Sequence, residues 1–163
     1  MPESNIARPQ FGQPASEELE MQEGWGYKES DKIREIALEL IEDHHKNLKE
    51  ADIIYLLKEK PSKSNGKIIF GKAIKPGSRY KYLTKCDFII EVAQIAFDDL
   101  NEKSLKALVD HELSHCDCLD GKFKTISHDF TGFFDNLNRH GFWSRELQNL
   151  KRRIEQLSLF EEE

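Results

Sequence analysis

The spacing of hydrophobic residues along the chain predicts four amphipathic helices, because apolar residues three and four positions apart share one helical face. The first helix covers residues 29 to 49, the second about 102 to 118, the third begins near Ser127, and the fourth covers 144 to 156. In chain order, their apolar faces consist of Ile33, Ile36, Ala37, Leu40 and Ile41; Leu105, Leu108, Val109, Leu113 and Cys116; Phe130, Phe133, Phe134 and Leu137; and Leu147, Leu150, Ile154 and Leu157.

Three β-strands are predicted between the first two helices, where short apolar runs are separated by turn residues. They cover residues 52 to 57, 67 to 73 and 86 to 93, and Ser64-Asn65-Gly66 is a turn signal before the second strand. Alternation in the third strand places Phe88, Ile90 and Val92 on one side of the sheet. The chain is therefore expected to have an α+β fold, with an N-terminal helix, a small three-stranded sheet and three further helices.

Composition predicts one compact domain with a segment at each end. Residues 1 to 27 contain several Pro and Gly with little periodicity, which predicts a disordered arm; the domain covers 28 to 143, and 144 to 163 form a C-terminal helix and tail. No apolar run approaches the ~20 residues of a membrane span, and the N-terminus lacks the pattern of a signal peptide. Three cysteines, an odd number, are typical of reduced thiols in the cytoplasm.

The charge of the chain bears on its partners. A formal net charge of −6 disfavours direct binding to nucleic acid. One stretch is rich in lysine, and it is interpreted as a solvated hairpin whose charges protect a sheet edge. Its members are Lys58, Lys60, Lys63, Lys67, Lys72 and Lys75.

The candidate chemistry lies in the second helix, where residues 111 to 115 read His-Glu-Leu-Ser-His. His111 and His115 are four residues apart and share one helical face, so both imidazoles can bind one Zn²⁺. Zinc lowers the pKa of bound water to roughly 7, and Glu112 is close enough to act as the general base. The alternative is a surface helix with two solvated histidines.

A third zinc ligand is expected from His128, which follows a loop of about ten residues. Ser127 is expected to cap the helix that begins here, and Asp129 either orients a ligand or favours the helix dipole. The alternative is that His128 is only a histidine near a helix cap. In that case Asp129, Asp120 or a cysteine completes the metal site.

Together, these residues resemble the phage metallopeptidase family. The resemblance covers roughly residues 30 to 145 and rests on the run Ala107 to Cys116, on His128-Asp129, and on the run Arg139 to Trp143. It implies a minimal zincin fold and zinc-dependent hydrolysis of protein or peptide substrates. SprT-like and YgjP-like zincins are similar, but they have Gly or Ser where this chain has Asp129.

Other histidines and cysteines are interpreted without a metal. His44 and His45 are adjacent near a helix end and are expected to be solvated. Cys116 is expected in the core and Cys118 at a half-exposed position, while a thiolate pair binding a second metal is the alternative. His140 precedes Gly141 at a predicted helix end, where the dipole favours it, and a role in holding an oxyanion is the alternative.

The end of the fourth helix carries a second motif, Gln156-Leu157-Ser158-Leu159-Phe160. It resembles the peptide by which bacterial replication and repair proteins bind the sliding clamp. The resemblance implies polar contacts by Gln156 and apolar anchoring by Leu157, Leu159 and Phe160. The alternative is that these apolar side chains cover the domain's own core.

The sequence thus predicts a cytoplasmic zinc metallopeptidase, encoded by a phage or mobile element and recruited to the bacterial sliding clamp. A function of a different class fits the same residues: a non-catalytic module with a zincin scaffold that binds the clamp through its tail. The intact Glu112 favours the enzyme.

Overall fold

The described part of the chain is centred on a mixed sheet of four strands, β1 (Tyr27–Glu29), β2 (Ile53–Lys58), β5 (Gly71–Ile74) and β6 (Phe88–Ala93). A computed structural model describes residues 26–129 and 132–160. The strand order is β1-β2-β6-β5; β2 and β6 are parallel, and the two outer strands are antiparallel to their neighbours. The α+β class is confirmed, but the sheet has four strands where three were predicted.

The additional strand arises at the N-terminal side, where Tyr27, Lys28 and Glu29 pair with β2. The predicted strand 67 to 73 is also divided in two. Its first half, β4 (Lys67–Ile69), forms a separate hairpin with β3 (Ser62–Ser64), and only its second half joins the main sheet as β5. The turn between β3 and β4 is where the sequence places it, with positive φ at Asn65 and Gly66.

Helices α1 (Asp31–His44) and α4 (Glu102–Ser114) pack together and against one face of the sheet. A 3₁₀ turn, Lys46–Leu48, follows α1. The predicted alternation is confirmed, because Phe88, Ile90 and Val92 are all fully buried. Asn101 caps α4 by accepting a hydrogen bond from the Ser104 N–H at 2.8 Å. Two short helices, α2 (Ser78–Thr84) and α3 (Gln94–Asp99), were not predicted.

Helix α4 ends at Ser114, not near residue 118, because the chain turns directly into a hairpin of β7 (Cys116–Leu119) and β8 (Lys122–Thr125). Asp120 and Gly121 both have positive φ at its tip, as a two-residue hairpin turn requires. This hairpin was not predicted, although the pair Asp120-Gly121 between two short alternating runs is a sequence signal for a hairpin.

The helix predicted from Ser127 begins later, as α5 (Phe134–His140), so Ser127 does not cap it. The Asp129 carboxylate instead accepts a hydrogen bond from the Phe134 N–H at 3.1 Å, which keeps residues 126 to 129 outside the helix. Within the predicted apolar face Phe133 is buried and Phe134 is 60 % exposed, whereas Phe130 lies outside the described residues.

The last helix, α6 (Arg145–Phe160), extends four residues beyond the predicted end. Leu147 near its start is buried, whereas Ile154, Leu157 and Leu159 are more than half exposed. Most of the predicted N-terminal arm, residues 1 to 25, lies outside the described residues. None of the helices in the described ranges is long and apolar enough to cross a membrane.

Candidate metal centre

Three histidines meet at the C-terminal end of α4. His111 lies in its last turn, His115 is its C-cap, and His128 approaches from the loop after β8. One ring nitrogen from each lies within 4.8 Å of the other two, so the three side chains can hold one metal ion. It is the one such group of His, Cys, Asp or Glu among the described residues. The structure therefore brings together the three residues that the sequence analysis selected as ligands.

His115 is held by the end of the β7–β8 hairpin. Its Nδ1 lies 2.7 Å from the backbone carbonyl oxygen of Ile126, and its own carbonyl accepts the Ile126 N–H at 2.7 Å. A carbonyl oxygen only accepts hydrogen bonds, so Nδ1 must carry the proton. The Nε2 lone pair of the neutral ring is then free to bind a metal.

His111 and His128 approach each other through their Nε2 atoms, which are 3.0 Å apart. Two imidazole nitrogens bound to the same tetrahedral zinc at 2.0–2.1 Å would be separated by about 3.3 Å. The pair is therefore within a few tenths of an ångström of the spacing that a shared ion requires. Three neutral imidazoles are also a donor set that suits zinc.

The surroundings of His111 and His128 favour the neutral forms of these two rings. Phe133 lies against all three, with ring centroids 4.8–5.3 Å away. Burial, together with the neighbouring His115 and His128, lowers the pKa of His111 to about 4. Burial likewise lowers the pKa of His128. Neutral rings at neutral pH can bind a metal without first losing a proton.

The Glu112 side chain lies against Gly71 of the edge strand β5. Its side chain is nearly inaccessible, and its carboxylate accepts a hydrogen bond from the Ala73 backbone N–H. Burial raises the pKa of Glu112 to about 8, against the opposing effect of that hydrogen bond. A carboxyl group with a pKa near neutrality can both take up and release a proton at physiological pH.

Because Gly71 of β5 has no side chain, Glu112 can occupy the space beside it. A Cβ atom at this position would lie 2.8 Å from the Glu112 Oε1 and 3.0 Å from its Cγ, closer than side chains approach in proteins. Any residue other than glycine would therefore displace either the carboxylate or the strand. The role of Gly71 was not predicted. A glycine inside a strand indicates that another group approaches the backbone closely, but the sequence does not show which group.

Asp110, directly before His111, is fully buried and binds donors from two other elements. His45, at the end of α1, lies 2.5 Å away, and His140 of α5 lies 2.7 Å away through Nε2. Arg139 donates two hydrogen bonds of 2.8 Å, and Asn136 donates a third from the same helix, at 3.3 Å. Burial alone would raise the pKa of Asp110, but these hydrogen bonds and the Arg139 charge hold it well below its usual range.

This cluster corrects one expectation. His45 is buried and bound to Asp110, whereas it was predicted to be solvated; only His44 is exposed. His140 is the last residue of α5 before Gly141, as predicted, and its Nε2 contacts the same carboxylate. Only the Nδ1 nitrogen of His140 lies outside this contact. The contact between His45 and Asp110 joins residues 65 positions apart, and no local pattern indicates such a partner.

The three thiols lie outside the histidine cluster, and no disulfide joins them. Cys116 is buried, as expected, and its burial raises the pKa of the thiol to about 12. Cys118 is half-buried on the same strand, as expected. A buried thiol with so high a pKa stays protonated at neutral pH and is a poor metal ligand.

A family model described as "Putative phage metallopeptidase" matches residues 25–155. This range contains the whole histidine cluster, Glu112 and all the residues bound to Asp110. No curated protein and no solved structure matches the chain.

Proposed function

Since the chain belongs to the phage metallopeptidase family, we propose that it is a zinc peptidase in which His111, His115 and His128 bind the metal and Glu112 transfers protons. The observation that carries the proposal is the convergence of the three ring nitrogens within 4.8 Å at the end of α4, the helix that also carries the buried Glu112. Family membership supports metal-dependent hydrolysis of protein or peptide substrates; zinc itself is proposed from the three-imidazole donor set.

A zinc ion held there would polarise the peptide carbonyl and make water a stronger nucleophile. The Glu112 carboxylate takes the proton from the attacking water and delivers it to the leaving amine. The Ala73 N–H and the space over Gly71 keep the carboxylate in place during both transfers. Phe133, against all three imidazoles, restricts the access of water from its side.

Peptide substrates are proposed to bind along β5. Strand β6 lies between β2 and β5 and therefore has no open edge. Strand β5 pairs with β6 on one side only, and among the described residues no strand pairs with its other side. That open edge lies beside Glu112, and an extended peptide can pair with such an edge through backbone hydrogen bonds.

The test combines metal content with hydrolysis. Purified protein should contain one zinc, and His128→Ala should lose most of it, because only two imidazoles remain. His44→Ala is the matched control, since His44 is exposed and lies outside the cluster, and it should retain full zinc. Full zinc in His128→Ala would remove that residue from the site.

The role of Glu112 is tested by Glu112→Gln, which should retain zinc and fold but lose at least about 100-fold in the hydrolysis of unfolded protein substrates. The amide has nearly the same size but cannot accept the proton. Equal hydrolysis by the variant would attribute the activity to a contaminating protease. Zinc-loaded wild type that cleaves none of a broad set of folded and unfolded proteins would leave the non-catalytic module as the function.

We also propose that the protein acts in the cytoplasm, together with its substrates. A second proposed property is binding to the bacterial sliding clamp through residues 156 to 160. Within the motif, Leu157 and Leu159 are 66 % and 70 % exposed. These two side chains therefore do not cover the domain's own core, which was the alternative. Their availability supports docking into an apolar pocket on a partner.

Clamp binding is measured by titrating purified clamp with the full chain and with a Leu157→Ala/Leu159→Ala variant. Wild type should bind with an affinity on the order of micromolar, as short linear anchors do, and the variant at least about tenfold more weakly. The control is Ile154→Ala, which changes an apolar side chain of α6 that is also more than half exposed but lies outside the motif. No binding by wild type, or equal binding by all three proteins, would exclude recruitment by this motif.

A further inference from the structure

The charge of this chain is divided unequally between two parts. Residues 60 to 86 contain eight Lys or Arg and no Asp or Glu, a formal charge of +8. The remaining residues contain sixteen basic and thirty acidic residues, a formal charge of −14. The net charge of −6, which disfavours binding to nucleic acid by the chain as a whole, is the sum of these two unequal parts. We call residues 60 to 86 the basic segment.

Most charges of the basic segment are not neutralised within the described residues. Lys67 pairs with Glu146, and Lys81 pairs with Asp87. No acidic side chain in the ranges 26–129 and 132–160 pairs with the remaining cations of the segment. These are Lys60, Lys63, Lys72, Lys75, Arg79 and Lys85, and all six are exposed. A field of unpaired cations attracts a polyanion, because binding releases the counterions of the polyanion.

Helix α2, within the basic segment, adds aromatic surface to this charge. None of its residues is buried. Tyr80, Tyr82 and Leu83 are 65 %, 75 % and 69 % exposed. A seven-residue helix is too short to be stable alone in water. Large apolar side chains that lie together at a surface usually contact a binding partner. The exposed rings therefore indicate a partner with flat apolar surfaces.

Cations flank one of the rings. Arg79 and Tyr82 are three residues apart in α2 and therefore lie on the same side of the helix, and Lys85 is its C-cap residue. The Lys85 Nζ lies 5.2 Å from the centroid of the Tyr82 ring, which brings these two side chains together. An aromatic ring between cations is the arrangement that binds unpaired bases by stacking and their phosphates by charge.

We propose that the basic segment binds single-stranded nucleic acid, with Arg79 and Tyr82 of α2 and the C-cap residue Lys85 as the central contact. Exposed rings favour a single strand over a duplex, in which the base faces are already stacked. They also favour nucleic acid over an acidic polypeptide, which offers negative charge without flat rings. The histidine cluster takes no part in this contact, so the proposal stands whether or not the chain hydrolyses peptides.

The test is fluorescence anisotropy of a labelled oligothymidylate of about 30 nucleotides, titrated with the full chain at about 50 mM and about 200 mM salt. Binding should weaken with salt, with a logarithmic slope of about −0.7 for each phosphate contacted. Arg79→Glu/Lys85→Glu should bind at least about tenfold more weakly and with a shallower slope. No anisotropy change for wild type at the lower salt concentration would overturn the proposal.

The matched control is Lys103→Glu/Arg152→Glu, which changes the net charge equally at two exposed residues outside the basic segment. This control should bind nearly as wild type; an equal loss in both double variants would show a response to net charge alone and overturn the site. Tyr82→Ala should lose about tenfold in affinity and retain the salt slope, while Tyr82→Phe, which keeps the ring, should restore binding. Equal binding by Tyr82→Ala and wild type would remove the stacking contact.

Two competitors separate the possible polyanions. Unlabelled oligothymidylate should displace the probe at lower concentration than either a duplex of equal length or polyglutamate. Stronger displacement by the duplex would overturn the preference for single strands, and stronger displacement by polyglutamate would assign the surface to acidic polypeptides.

Discussion

At the scale of single residues, the position of the proposed proton-transfer group, Glu112, depends on the absence of a side chain at Gly71. Glu112 occupies the space above Gly71, and the adjacent Ala73 donates its backbone N–H to the carboxylate. One methyl group at residue 71 is therefore sufficient to disturb the carboxylate without touching any of the three histidines. The position of Glu112 is thus determined by a strand that lies about forty residues earlier in the chain.

Gly71→Ala should retain zinc but reduce hydrolysis by about 100-fold, because a displacement of the carboxylate by about 1 Å misplaces the proton transfer. Zinc analysis and a protein-cleavage assay measure the two properties separately. Gly77→Ala is the control, since φ is −63° there and a Cβ atom would meet nothing within 4 Å. Wild-type hydrolysis by Gly71→Ala would show that Glu112 tolerates the methyl group.

At the scale of elements, one buried carboxylate connects three helices behind the histidine cluster. Asp110 of α4 binds His45 at the end of α1 and three residues of α5. Asn136 of α5 extends the connection, because it accepts a hydrogen bond from the Trp143 indole N–H at 2.8 Å. The helix after His128 is in this way fixed to the helix that carries His111 and His115.

Asp110→Asn should lower the free energy of unfolding by about 3–5 kcal/mol, because the neutral amide leaves the largely buried Arg139 without its counter-charge. Urea denaturation measures the change. Asp117→Asn is the control: its partner Lys124 is exposed, so the loss should stay below about 1 kcal/mol. Equal losses in the two variants would show that the buried cluster is no more stabilising than a surface pair.

The β7–β8 hairpin is the second element that positions the histidines, because it holds His115 and leads directly to His128. Gly121→Ala at its tip forces a side chain into positive φ, at a cost of about 1 kcal/mol, and should weaken zinc affinity about fivefold. Gly66→Ala imposes the same strain at the tip of the β3–β4 hairpin and should leave zinc affinity unchanged. Competition with a chromophoric chelator measures both, and equal affinities would separate the β7–β8 hairpin from metal binding.

At the scale of the whole molecule, α6 leaves the core along its length. Its first apolar side chain, Leu147, is 5 % exposed, whereas Leu157 near its end is 66 % exposed. The six unpaired cations of the basic segment and helix α2 are likewise at the surface, whereas the histidine cluster and Glu112 lie where α4 meets β5 and the β7–β8 hairpin. The proposed contacts with macromolecular partners therefore use surfaces that contribute little to the core.

Leu147→Ala should lower the free energy of unfolding by about 2–5 kcal/mol, because it removes buried methyl groups from a packed interface. Leu157→Ala should change it by less than about 0.5 kcal/mol, because the side chain is already in water. Thermal or urea denaturation of both variants measures the difference. A large loss in Leu157→Ala would show that the end of α6 packs on the domain in solution.

The sequence alone determined the features that depend on local periodicity. The apolar spacing located α1 and α4, the alternation of Phe88, Ile90 and Val92 identified the buried face of β6, and the α+β class followed and is confirmed. The motif from His111 to His115 and the later His128 indicated the histidine cluster and the family. These predictions succeeded because each rests on residues that are close in the sequence, where helix and strand geometry decides which side chains share a face.

Only the tertiary structure decided which distant residues meet at the site. It brought His45 into contact with Asp110 and Gly71 into contact with Glu112, and it made β5 an edge strand of the sheet. It also left His128 in a loop, where the neighbouring Asp129 accepts the N–H of Phe134, the first residue of α5. The contacts of His45 and Gly71 and the edge position of β5 depend on packing between segments separated by many residues. Packing and charge pairing of that kind have no period along the chain.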